Sequence, residues 1–413
     1  MRCSLALSLL CVGATAASAS TTITGGNIIN QTWTVAGNPY IVEGDITIPS
    51  GTTLTIEAGV TVQLPTGDMQ ASGLSPTQTE ITVDGTLIVA GTAAAPVTFA
   101  GASANAWYGV VVGATAASVQ LEHAVITNPY VGITYGGSGN VMSGFGVDIE
   151  SPTQTGLTVV GGSPSFDGLI VRGIAGTTQG GVAQAYEGTS LTLTNCLITD
   201  VEYGASAASA ADAPGALSLT NCTIDRADNG VSISDYVTVT VVNSLITNGS
   251  LGFNVAVDAL GDDITVAYTD AWNNSMGDLL GVACGSGCLS ANPQYVSASD
   301  HHLQATSVAI DAGTTGPADD LDGNPRPVGA RWDLGAYEYG SMAVTGSDAG
   351  VIPLDASAIT GDSQHGDQPG DAGPSSTSGS NGGCCDAGGP GGGSLVLALA
   401  VGAVLASRRR RAR

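Results

Sequence analysis

VQLEHAVITN from Val119, LTLTNCLITD from Leu191, LSLTNCTIDR from Leu217 and VTVVNSLITN from Val239 align without a gap. The last three begin 26 and then 22 residues apart (191 to 217 to 239). Each opens on alternating apolar positions, reaches Asn or His, then a small residue, with Ile three places after the Asn or His. A glycine follows at one offset: Gly132, Gly204, Gly230 and Gly252. Self-similarity at such a period means a solenoid, whose repeats bury their faces only by stacking. Period-2 alternation makes the repeating element a strand. The expected fold is therefore all-β, a single-stranded right-handed parallel β-helix. A coil of roughly 22–28 residues implies about ten to twelve coils over 20–298.

The alignment also assigns the interior. Val119, Leu191, Leu217 and Val239 make one inward ladder; Leu121, Leu193, Leu219 and Val241 a second; Ile126, Ile198, Ile224 and Ile246 a third. Asn195, Asn221 and Asn243 mark a corner in the left-handed region, which Asn tolerates at low cost, and their amides can bond from coil to coil. Asp167, 28 residues before Asn195, is taken to hold the same slot, and His123 is read as a corner residue rather than a base.

Composition agrees with narrow stacked coils. The 413 residues include 60 Gly, and aromatics make up 5%. No Lys occurs, and of 10 Lys plus Arg, one Arg lies near the start and five in the last six residues. The body keeps Arg172, Arg226, Arg326 and Arg331 against 34 acids before Cys384, a charge near −30 (4 minus 34). Such a surface repels nucleic acid and anionic membrane. It suits divalent cations, but plain solubility outside the cell is the preferred reading.

Residues 1–19 read as a secretory signal: one Arg, an apolar stretch from Leu5 to Val12, and Ala17-Ser18-Ala19. Residues 299–340 read as a separate cap, because an open β-helix end exposes unpaired strand edges. Residues 341–383, rich in Asp, Ser, Gly and Pro, read as a disordered spacer. Residues 384–413 hold Cys384-Cys385-Asp386-Ala387-Gly388-Gly389, the uncharged stretch SLVLALAVGAVLAS and RRRRAR. An apolar segment before an Arg cluster is a stop-transfer element, here a short one.

Two resemblances follow. The tail resembles the MYXO-CTERM sorting signal of myxobacterial surface proteins, which joins a Cys motif, a short transmembrane stretch and an Arg-rich end. That resemblance implies export, a sorting protease acting at Cys384 or Cys385, membrane contact only through the tail, and display at the cell surface. The segment HHLQATSVAIDAG, DLDGNPRP and DLGAYEY, from His301 to Tyr339, resembles the choice-of-anchor Q domain that precedes such signals.

Candidate chemistry is sparse. Asp320 and Asp322 sit in a tight acidic turn, but in the EF-hand register positions 1 and 12 fall on Ala318 and Gly329, so calcium lacks its key ligands. The simpler reading pairs those carboxylates with Arg326 or Arg331. Cys284 and Cys288 favour a local disulfide in an exported protein. Cys196 and Cys222 are read as stacked core thiols. Asp262-Asp263 is the one adjacent Asp pair of the coil region, and a carboxylate pair alone is able to hydrolyse a neutral glycan. Lyase chemistry on acidic polysaccharides needs a strong base with cations, which four scattered Arg do not supply. The expected role is a surface structural or adhesive module contacting glycans, without catalysis or cofactor; the alternative is a polysaccharide-active enzyme.

Overall fold

The computed structural model describes residues 20–138, 142–174, 183–185, 188–256 and 260–340. The proposed leader, spacer and tail, with Cys384 and Cys385, lie outside the described residues. The described strands form one continuous parallel sheet system wound as a β-helix with three faces. Face A stacks Gln31–Trp33, Thr53–Glu57, Thr86–Ala90, Ser118–Glu122, the first part of Met142–Glu150, the first part of Ser165–Arg172, Ser190–Thr194, Gly215–Thr220, Val237–Val242 and Asp263–Ala267. Face B follows the first corner of each turn, as in Ala124–Thr127 and Leu245–Thr247; face C closes the turn, as in Val131–Tyr135 and Leu251–Val255.

Ten strands on face A make nine steps, so the helix has about nine turns, fewer than the ten to twelve expected. Two early turns are longer than the repeat implies. Leu54 to Leu87 takes 33 residues and Leu87 to Val119 takes 32, because loops such as 65–79 leave the coil between strands.

The three apolar ladders are inward as expected, and none of their members is more than 1% exposed. Leu191, Leu217 and Val239 are in direct register, as are Ile198, Ile224 and Ile246. The second ladder contains a size exchange. Gly144 follows Leu121, and a Cβ there would lie 2.3 Å from the Phe166 ring, so one large ring fills the space of two layers.

The glycine row has a steric cause. A Cβ on Gly204 would fall 2.4 Å from the Gly230 carbonyl oxygen and 2.5 Å from Ile224 Cγ2, and Gly230 stands in the same relation to Gly252 and Ile246. Glycine and the Ile ladder are thus one device: the turn-to-turn approach leaves no room for a side chain at that corner.

The first corner is left-handed at Asn195, Asn221 and Asn243 (φ 49°, 53° and 52°) and at His123 (φ 44°). Gly168, not Asp167, holds that slot in its turn, since Asp167 pairs with Thr194. The Asp167 carboxylate still accepts a hydrogen bond from Asn195 Nδ2 at 2.8 Å. A second left-handed corner, between faces B and C, runs through Asn128, Ser151, Asp200, Arg226, Asn248 and Asn273.

Cys196 and Cys222 form a disulfide rather than resting as thiols. Parallel stacking brings equivalent residues of adjacent turns to a Cα–Cα distance of 4.4 Å, within disulfide reach. Cys284 and Cys288 are also joined, at a Cα–Cα distance of 6.1 Å.

Residues 299–340 run along the flank of the helix as a strap instead of closing its end. Asn243 Nδ2 donates to the Thr314 carbonyl at 2.8 Å, Asn221 Nδ2 to Asp333 at 2.9 Å, and Asn195 Nδ2 to Asp319 at 3.0 Å. The reason lies in the corner: its amides point out of the coil with N–H groups to satisfy, and the strap supplies carbonyls. At the end itself, the disulfide-closed segment adds a partial turn. Gly285 N–H donates to Val266 O at 2.8 Å and Ala271 N–H to Leu289 O at 3.2 Å.

Candidate functional site

Two surfaces carry polar side chains in register: face A and the seam between strap and helix. The residues between the apolar ladder positions of face A point outward, because strand side chains alternate. They are Thr32, Thr55, Ile88, Gln120, Ser143, Ser165, Thr192, Ser218, Thr240 and Thr265, each in register with the next. Thr32, Gln120, Ser143, Thr192 and Thr265 are exposed, and the other five are half-buried. A stack of eight hydroxyls and one amide, about 4.8 Å apart and interrupted at Ile88, therefore runs along the helix. Beside it a second outward rank reads Glu57, Ala90, Glu122, Phe145, Asp167, Thr194, Thr220, Val242 and Ala267.

The seam gathers the body's arginines and pairs them. Arg172 contacts Asp148, with Glu150 at 3.8 Å. Arg226, left-handed at φ 56°, holds Asp200 of the preceding turn through Nε (2.8 Å) and Nη2 (2.7 Å). Asp225, 1% exposed, accepts hydrogen bonds from Thr247, Asn248 and Arg226 and meets His301 Nε2 at 3.0 Å. Burial pulls the Asp225 carboxyl up, but the bonds from His301, Asn248 and Thr247 outweigh it and hold it below the usual range. Arg326 donates to the Gly335 carbonyl at 2.9 Å and lies 3.7 Å from Glu338, and Arg331 donates to Gly313 O at 2.7 Å.

This is a lock between two parts of the chain, formed by groups that already have partners. His302 belongs to it, between Asp300 (2.6 Å) and Asp322 (2.8 Å) and against the Tyr337 ring. Burial pulls His302 down, but the bonds to Asp322 and Asp300 outweigh it and push it up to about 9. Burial pushes Asp270 and Asp333 up to about 6.

The residues singled out in the sequence fall as follows. Asp262 accepts a hydrogen bond from Val237 N–H at 3.1 Å, while Asp263 is exposed at the start of its face A strand, opposite Thr238. Asp262 precedes the strand, and its carboxylate is committed to the backbone of the preceding turn. Asp320 accepts from the N–H groups of Asp322, Asn324 and Glu338, and Asp322 turns to His302. The acidic turn is thus organised by backbone donors, and its carboxylates meet neither Arg326 nor Arg331 in a salt bridge among the described residues. No group of three or more His, Cys, Asp or Glu is placed to hold a metal among the described residues.

The outward rank of face A and the second corner went unread in the sequence, although both were present in the quoted repeats. Gln120, Thr192, Ser218 and Thr240 sit between the two ladder residues of each, and Asn128, Asp200, Arg226 and Asn248 end them. Family models find no match in this chain, and no curated protein matches it.

Proposed function

We propose that this chain is an exported, surface-displayed β-helix module that contacts neutral glycans through face A and does not cleave them. The observation that carries the reading is the stacked rank of Thr, Ser and Gln on that face. Hydroxyls and amides repeated about every 4.8 Å offer donors and acceptors to an extended chain of sugar hydroxyls. Against catalysis, the arginines of the body are engaged at the strap seam or with strap carbonyls, and Asp262 is held by the Val237 N–H. The sorting-signal and choice-of-anchor Q resemblances belong to the same proposal: export under residues 1–19, then processing near Cys384 and Cys385 by a sorting protease.

Removing hydroxyls from the face tests this. A Thr55→Val/Thr192→Val/Thr240→Val variant should lose retention on insoluble neutral polysaccharides, whereas Thr47→Val/Ser232→Ala on face C should keep it. Equal retention of both variants would reject face A as the contact surface.

A further inference from the structure

Of the four Phe in the chain, Phe99, Phe166 and Phe253 are buried, while Phe145 is 46% exposed in the middle of face A. Exposure there is not a loop accident. Phe145 lies inside the strand Met142–Glu150, and its inward neighbour is Gly144, so the ring is directed to solvent by the pleat. The ring is also held. His123 stands edge-on to it, with centroids 5.2 Å apart and planes at 86°. Gly146 makes room for that arrangement, since a Cβ there would lie 2.6 Å from His123 Nδ1.

Polar groups surround the ring in register. Glu122 is one step before Phe145 and Asp167 one step after, each about 4.8 Å along the axis. Gln120, Ser143 and Ser165 of the neighbouring rank lie alongside in the same three turns. The strap tip borders the site: Leu321 Cδ1 is 3.4 Å from a Cβ built on Gly168, the residue after Asp167.

From this we infer that Phe145, flanked by Glu122 and Asp167, is a stacking platform for one sugar unit of a neutral, β-linked glycan. The inference rests on the glycan-contact reading and narrows it to one site and one ligand class. An aromatic face takes the flat C–H face of a pyranose with equatorial hydroxyls. Carboxylates one step to either side accept hydrogen bonds from those hydroxyls and repel uronates or sulfates. The rank of Gln120, Ser143 and Ser165 then meets the same unit from the side.

The test measures binding of soluble β-linked glucose and N-acetylglucosamine oligosaccharides to the purified body by calorimetry, with oligogalacturonate as the anionic comparison. Phe145→Ala should bind at least about tenfold more weakly with unchanged melting, because the lost contact area lies outside the core. Phe145→Trp should retain binding and report it by a change in indole fluorescence. Glu122→Gln, which keeps the side-chain size, should weaken neutral binding and relieve exclusion of oligogalacturonate. Ser232→Ala, on face C and outside the contact surface, should bind like the unaltered protein. Wild-type binding that Phe145→Ala and Glu122→Gln both leave intact would overturn the site while the glycan reading stands. Tighter binding of oligogalacturonate than of neutral sugars would overturn the ligand class. Absence of binding to every neutral oligosaccharide would overturn both the inference and the reading on which it rests.

Discussion

Gly230→Ala should unfold the helix at markedly lower temperature, although it adds one methyl group. The new Cβ would stand 2.4 Å from Ile246 Cγ2 and 2.5 Å from the Gly252 carbonyl oxygen. Ordinary contact needs about 3.5 Å, so two neighbouring turns must part by about 1 Å. Ile246 cannot yield by rotating, because it is β-branched and packed in the third ladder at 1% exposure. Parting the turns stretches the backbone bonds between Thr223–Ile233 and Leu251–Val255, which are in register at Asn229 with Leu251 and Val231 with Phe253. Overpacking costs about 1–3 kcal/mol and each lost hydrogen bond about 1 kcal/mol, giving roughly 2–4 kcal/mol together. That corresponds to a fall of roughly 3–6 °C for a body of this size. The assay is thermal melting followed by far-ultraviolet circular dichroism, with Gly51→Ala as the comparison. Gly51 has φ +77° but nothing within 4 Å of a built Cβ, so it isolates conformational strain of about 1 kcal/mol. Should Gly230→Ala melt no lower than Gly51→Ala, the steric explanation of the glycine row is wrong.

Three further outcomes are expected. Ile224→Asp, placing a charge without a partner in the third ladder, should abolish cooperative melting across several turns; unchanged circular dichroism would refute the ladder assignment. Asp270 is 0% exposed with its carboxyl raised from 3.8 to about 6, so the folded chain holds that proton more tightly than the unfolded one. Stability therefore falls as pH rises from about 4 to 6, and Asp270→Asn should be near wild type at acid pH and more stable by the order of 3 kcal/mol above pH 6. Urea unfolding at both ends of that range checks it, and a gain independent of pH would contradict it. In the tail, Cys384→Ala/Cys385→Ala should accumulate uncut in the membrane fraction, while mature surface protein lacks Arg408 to Arg413; surface protein that keeps the Arg tail by mass spectrometry would end the sorting proposal.

The ladders were readable because burial imposes residue type: Leu193, Leu219 and Ile224 repeat the same demand in each turn. The left-handed corner was readable for a related reason, since few residues tolerate that backbone and Asn recurs at 195, 221 and 243. The turn count was overestimated because a loop such as 65–79 consumes chain without adding a strand, and the period does not describe the two long turns from Leu54 to Val119. The strap's path was not legible. Nothing in His301 or Asp320 states which outward group it will meet, and an amide at a corner signals only that it needs an acceptor. The repeat puts Cys196 and Cys222 at equivalent positions on neighbouring turns, but it does not state that the step between turns brings their Cα atoms to 4.4 Å, within disulfide reach. Phe145 was overlooked because one aromatic among small residues has no period, and only the register with Glu122 and Asp167 gives it neighbours.

The most direct measurement of the functional account incubates the purified body with neutral and acidic glycans and records retention and reducing-end release in the same sample. The account expects retention of neutral β-linked glycans with no release above a protein-free control. Release of reducing ends from any glycan, abolished by Asp262→Asn/Asp263→Asn or by Glu122→Gln, would contradict it.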